Sequence, residues 1–275
     1  MNENVIKITK TSEVDFFQFK RLLNYKNVNH AYILKTHNMS FRCGKDFRMI
    51  EDVKNNLKIV SKNCKIKYET IVRPDYEHTN NVDIVENVDI SNEIPEIRGK
   101  RFQNTDALIT NKKDITLMST NADCNLILLF DKKNNVIANV HAGWRGTFNK
   151  IVVNAIEKMI KTYNSDPKDI EAYFCPSIRK CHFEVDEDVK KLCEDIFSYT
   201  GRISEIISKG EVKDGKQKYF IDTVLINTIL LKELNVLDEN IVDCGICSVC
   251  MKDLVHSRRA EGEYFGLSTA LISLT

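Results

Sequence analysis

The segment Asn121-Ala-Asp-Cys124-Asn125, followed at close range by His141-Ala-Gly143-Trp-Arg145-Gly146, decides how this chain is read. Between Cys124 and His141 lie two apolar runs, residues 125–130 and 136–140. The polar stretch Asp131-Lys-Lys-Asn-Asn135 separates them. Two short apolar runs joined by such a turn predict an antiparallel hairpin. In a hairpin with an even-numbered loop, facing residues have numbers that sum to an odd value. Cys124 and His141 then project from the same face, because strand side chains alternate. With a two- or four-residue loop they are near or diagonal neighbours, close enough to share one ion. A soft thiolate and an imidazole converging at a strand end suit zinc or copper. They equally suit a Cys-His nucleophile pair.

After His141 come Gly143, Trp144, Arg145 and Gly146, then Phe148, Ile151, Val152, Ala155, Ile156, Met159 and Ile160. That spacing is the apolar stripe of one amphipathic helix. The predicted order is strand, glycine-flanked turn, helix. The glycines permit a tight turn or a close backbone approach. The helix start offers unpaired N–H groups to an anion, and Arg145 beside it can hold a phosphate or carboxylate with paired hydrogen bonds. The plainer alternative is a buried Trp144 that anchors the turn, with Arg145 in solvent.

At 275 residues the chain is long enough to bury a full core. Its 29% charged and 43% apolar residues are those of a globular protein. A net charge of +1 gives no reason to expect nucleic acid or an anionic membrane as partner. The amino-terminal residues lack the apolar core of a signal peptide, and no run approaches the roughly 18 apolar residues of a membrane span. These features predict a cytoplasmic location, where thiols stay reduced. The nine cysteines, an odd number, then call for metal binding, catalysis or packing rather than a disulfide framework.

No Gly/Ser/Pro-rich linker and no internal repeat divides the sequence, so one domain over 1–275 is expected. Residues 52–60, 186–196 and 223–234 read as helices. Residues 82–85, 107–109, 115–118 and 267–274 read as strands. They alternate without a regular βαβ rhythm, which predicts α/β (α+β) layers of mixed, packed sheets flanked by helices. Cys244, Cys247 and Cys250 have the spacing of a metal knuckle, with Cys175 or Cys181 as a conceivable fourth ligand, or serve packing alone. His256 either faces a pocket as a proton donor or caps an element. His30, His37 and His182 read as surface or core-edge residues.

Taken together, Asp123-Cys124 and His141-Ala-Gly-Trp-Arg-Gly146 resemble the signature of the YfiH-like family, also called the polyphenol oxidase or laccase-domain family. Further matches occur in the same order. They are Ile71-Val-Arg-Pro-Asp-Tyr-Glu-His78-Thr-Asn-Asn-Val82, Phe183-Glu-Val185, Cys247-Ser-Val-Cys250 and His256-Ser-Arg-Arg259. The resemblance implies packed sheets flanked by helices and a metal site of two His and one Cys. Mapped onto this chain, these are His78, Cys124 and His141, holding zinc or copper. It implies phosphate-dependent cleavage of purine nucleosides (adenosine, inosine, guanosine, methylthioadenosine). Arg145 and Arg259 would then sit at the phosphate, and His256 or a metal-bound water would serve as acid. Adenosine deamination, phenol oxidation and peptidoglycan-precursor editing are also associated with the family. A metal-independent Cys-His hydrolase or deamidase and a non-catalytic binding protein are the alternative readings. The chain departs from the family pattern at Tyr76, Cys175, Arg258 and Leu267, polar or small positions in the family that bear on substrate choice.

Overall fold

The computed structural model describes residues 4–40, 50–88 and 102–275. Two six-stranded mixed sheets lie at its centre. In spatial order, the first takes Ile6–Lys10 (β1), Asp15–Phe19 (β2), Val28–Ile33 (β3), Ser268–Leu274 (β15), Thr116–Asn121 (β7) and Ile71–Val72 (β4). The second takes Ile241–Asp243 (β14), Ile170–Phe174 (β10), Asn125–Asp131 (β8), Val136–Ala142 (β9), Ala107–Thr110 (β6) and Val82–Ile84 (β5). A three-stranded sheet of Glu184–Val185 (β11), Lys216–Ile221 (β13) and Ile207–Lys213 (β12) stands apart.

The predicted hairpin is β8 and β9, joined by residues 132–135. Its register pairs Asn125 with Ala142 and Leu126 with His141. Both strands are buried throughout, which explains their unbroken apolar composition. Alternation still sorts their side chains. Leu126, Leu128, Phe130 and Ile137 enter the core between the two large sheets, meeting Phe17, Leu117 and Ile272 of the first. Ile127, Leu129, Val136, Ala138 and Val140 enter the core on the other face, under the helices. By the same parity Cys124 and His141 lie on the inter-sheet face, at its end, as diagonal neighbours. Asn139 shares that face and donates to the carbonyls of Leu117 and Ala270 at 3.2 and 3.0 Å, tying the sheets together.

Helices cover both outer faces. Ile50–Asn63 (α1) lays Val53, Leu57 and Val60 on the first sheet. The helical stripe after Gly143 is two helices rather than one, Trp144–Phe148 (α2) and Ile151–Tyr163 (α3). Lys150 between them is left-handed at φ 59°, which redirects the chain. The break lets α3 bury Ile151, Val152, Ala155, Ile156 and Met159 against the second sheet while Ile160 faces solvent. Glu187–Phe197 (α4), Ile203–Ile206 (α5), Thr223–Glu233 (α6) and Arg258–Glu261 (α7) complete the helices among the described residues. The layers run helix, sheet, sheet, helix, and match the mixed α/β class expected. No helix among the described residues is long and apolar enough to cross a membrane.

Candidate active site

At the end of the β8–β9 hairpin the chain brings His78, Cys124 and His141 together. One donor atom from each lies within 4.8 Å of the others. Each arrives differently. Cys124 and His141 come from the hairpin register. His78 comes from the loop after β4 and has left-handed backbone at φ 57°. What holds that loop is Asp106, a fully buried carboxylate at the start of β6. It accepts hydrogen bonds from the backbone N–H of His78 at 3.1 Å and of Thr79 at 2.8 Å, and from the Thr79 hydroxyl at 2.8 Å. The same carboxylate faces His141 Nδ1 at 2.8 Å. A carboxylate only accepts, so Nδ1 carries the proton and Nε2 is left free to ligate. Asp106 thus fixes two of the three cluster residues. Sequence reasoning missed it, because an Asp before a short apolar run looks like any strand boundary.

Gly143 is required by proximity. A Cβ there would meet His78 Cδ2 at 2.8 Å and Cys124 Sγ at 3.2 Å. At Gly146 a Cβ would lie 2.9 Å from the carbonyl oxygen of Thr79. Both glycines let the α2 turn press onto the His78 loop.

The electrostatics of the cluster favour an ion pair in the absence of metal. Burial pushes the Cys124 thiol up, but the charge and hydrogen bonds of His141, with the His78 hydrogen bond, outweigh it and hold the thiol at about 6. Burial likewise lowers His141, yet the Cys124 thiolate and Asp106 raise it to about 9. The sign is checkable. Only the thiolate alkylates, so in chelated protein the iodoacetamide rate at Cys124 should rise through pH 6 and level off, while metal-loaded protein reacts slowly throughout. A midpoint near the ordinary cysteine value of about 8.5 would refute the ion pair.

The cluster opens on a cavity of about 710 Å³. Aromatic rings of Tyr76, Trp144, Phe183 and Phe265 line it, with Arg145, Arg258 and Arg259. The Arg145 guanidinium lies 4.2 Å from the Trp144 ring centre and is exposed to the cavity side. Trp144 and Arg145 therefore both border the cavity, and Trp144 is only partly buried. The helix start beside Arg145 is weaker than expected, since α2 has five residues and aligns few peptide dipoles.

Two expectations change here. Arg259 lines the cavity, but its guanidinium is spent on the carbonyls of His182 and Glu184, at 2.9 and 3.1 Å. Arg258, where the chain departs from the family pattern, also lines the cavity and lies over the Phe265 ring. His256 is not among the described residues that line the cavity. It is buried behind the wall with Nδ1 3.1 Å from Glu261, and Gly266 packs directly over its ring. A pocket-facing acid role for His256 does not fit that placement. Of the departures noted above, Tyr76 and Leu267 line the cavity. The Tyr76 hydroxyl accepts from Thr120 N–H at 2.9 Å. Cys175 is buried in the inter-sheet core instead.

The remaining histidines also resolve. His30 is a core residue whose Nε2 accepts from Phe19 N–H at 2.7 Å. His37 is half-buried beside Thr36. His182 is half-buried, as a core-edge residue, but not idle. It joins Cys181, Cys247 and Cys250 in a second cluster, while Cys244 lies apart beside Arg179.

A family model described as multi-copper polyphenol oxidoreductase laccase matches residues 27–275. The chain belongs to this family. Within the laccase-like family it is 28% identical over 268 residues to a Bacteroides thetaiotaomicron protein named purine nucleoside phosphorylase, covering 94% of this chain and 95% of that one. It is 34% identical over 169 residues to a Clostridium acetobutylicum protein of the same name, covering 61% of this chain and 66% of that protein. The YfiH protein of Bacillus licheniformis has the same fold, at a TM-score of 0.83 and 20% identity, over 98% of this chain and 99% of that one. YlmD of Geobacillus stearothermophilus follows at 0.79 and 19%, over 97% and 98%. The resemblance read from the central motif is the correct family.

Proposed function

We propose that this chain cleaves purine nucleosides by transfer of the glycosyl group to phosphate, using a metal held by His78, Cys124 and His141. The observation that carries the reading is one cavity that joins three features: the two-His, one-Cys cluster, a set of aromatic walls, and arginines free to meet an anion. Relatives in the family bear the name purine nucleoside phosphorylase, which supports it. The donor set fits zinc: three His/Cys ligands, one of them oriented by a buried carboxylate, with room for a fourth ligand toward the cavity. When bound, the metal supplies Lewis-acid polarisation.

The chain's own residues do the rest. A purine is flat and apolar on both faces, and the rings of Trp144, Phe183 and Phe265 offer it matching surface. The cavity also suits such a ligand in size. Arg145, and with it Arg258, meets phosphate and steadies its attack on the anomeric carbon as the ribose gains oxocarbenium character. The Asp123 carboxylate accepts from the Ser248 and Ser257 hydroxyls and the Arg259 N–H, at 2.6, 2.7 and 2.7 Å, and thereby fixes the wall.

The test is a nucleoside panel (adenosine, inosine, guanosine, methylthioadenosine) assayed with and without phosphate, with base, sugar phosphate and ammonia all measured. Cleavage should require phosphate, and Arg145→Ala should raise the phosphate KM by about 10- to 100-fold, the loss of a charge-assisted hydrogen bond of roughly 1.5–3 kcal/mol. Equal cleavage in phosphate-free buffer would make the protein a hydrolase. Ammonia release from adenosine would add deamination to the same site.

One observation favours a second reading. Cys124, His141 and Asp106 are ordered as nucleophile, base and orienting carboxylate. A thiol hydrolase or deamidase would use that order without metal. His78 separates the readings, because a thiol enzyme has no need of it. Activity that survives chelation and is lost on alkylation would select the thiol enzyme.

A further inference from the structure

The second cluster gathers Cys181 and His182, in the turn before β11, with Cys247 and Cys250, in the turn after β14. Its four donor atoms all lie within 4.8 Å of one another. Cys181 Sγ is 3.6 Å from Cys247 Sγ and 3.9 Å from Cys250 Sγ. His182 Nδ1 is 3.2, 3.6 and 3.5 Å from the sulfurs of Cys181, Cys247 and Cys250. Ligands on a tetrahedral zinc at about 2.3 Å for sulfur and about 2.05 Å for nitrogen stand about 3.8 Å apart as S–S pairs and about 3.6 Å as S–N pairs. Four of these five edges lie within about 0.2 Å of that tetrahedron, and the Cys181–His182 edge is shorter.

We infer that Cys181, His182, Cys247 and Cys250 form a second, structural zinc site, distinct from the catalytic cluster. Four protein ligands close the coordination sphere and leave no position for substrate, the mark of a structural site. A disulfide would use two sulfurs and strand the third with the imidazole, whereas zinc uses all four groups.

The site has a mechanical role. It fastens the turn that carries the cavity residue Phe183 to the turn after β14, whose Ser248 holds Asp123. Phe183, next to His182, lines that cavity, and the His182 carbonyl receives the Arg259 guanidinium. Ser248, between the two knuckle cysteines, holds Asp123. Cys244 keeps knuckle spacing in the sequence but points elsewhere, toward Arg179.

The test uses Cys124→Ala as background, so that the catalytic cluster contributes no metal, in full-length protein purified under a phosphine reductant without added metal. Elemental analysis should find about one zinc per chain. The zinc absorption-edge fine structure should fit three sulfurs and one nitrogen at the distances above. Adding Cys250→Ser should remove most of that zinc. Absence of zinc in Cys124→Ala, iron in its place, or a fine structure without sulfur overturns the site. Full retention of zinc in Cys124→Ala/Cys250→Ser also overturns it. The spectrum of Cys124→Ala leaves all four ligands intact, so a poorly folding Cys250→Ser variant does not decide the matter. None of these readouts depends on nucleoside turnover.

Discussion

Cys124→Ala should lose the metal of the catalytic cluster and lower nucleoside turnover by about 1,000-fold. Cys124 is the sole sulfur of that cluster and lies beside both histidines. A metal that polarises the reacting group is worth several kcal/mol of transition-state stabilisation, and about 4 kcal/mol corresponds to that drop in rate. Elemental analysis and kcat on the same preparation check it. Under the structural-zinc assignment, one equivalent of metal disappears and another stays. Turnover within tenfold of the parent would show that the cluster does not serve the reaction.

Asp106→Ala should be almost as damaging, although Asp106 touches no substrate. Its carboxylate orients His141 and holds the backbone that carries His78. Loss of the group behind a ligating histidine weakens metal binding about 10- to 100-fold. The N–H groups of His78 and Thr79 would lose their acceptor, at roughly 1–3 kcal/mol each where no water replaces it. Burial pushes the Asp106 carboxyl up, but the His141 and Thr79 bonds outweigh it and leave it below its ordinary value. The stability it contributes is therefore present above the usual carboxylate range and is lost as pH falls through its depressed folded value. Asp106→Asn keeps one accepting oxygen and turns the other into an NH2 donor, so it can serve the His78 and His141 side or the Thr79 side but not both, with no negative charge behind the His141 Nδ1–H. It should keep part of the stability and bind metal weakly. Competitive zinc titration and urea unfolding on both variants separate the two roles. Undiminished zinc affinity in Asp106→Ala would remove Asp106 from the site.

The sequence by itself determined the hairpin and its consequences. Strand alternation puts Cys124 and His141 on one face if the loop has an even number of residues, and the structure supplies a loop of four. The length and order of the motifs also identified the family, and with it His78. Local chemistry located α1, α4 and α6 to within a few residues. Tertiary structure decided the rest. Asp106 is far from His78 in sequence and becomes its anchor when β6 pairs with β5, the strand that follows the His78 loop. The helix after Gly143 breaks at Lys150 because α3 must align with the sheet beneath it, a demand that periodicity does not express. His256 turned away from the cavity because Glu261, one short helix later, folds back onto it. His182 looked idle because its three sulfur neighbours come from Cys181 and from a turn more than sixty residues away. Spacing along a chain records which groups share an element face. It does not record which loops meet, and both Cys/His clusters of this protein are closed by loops.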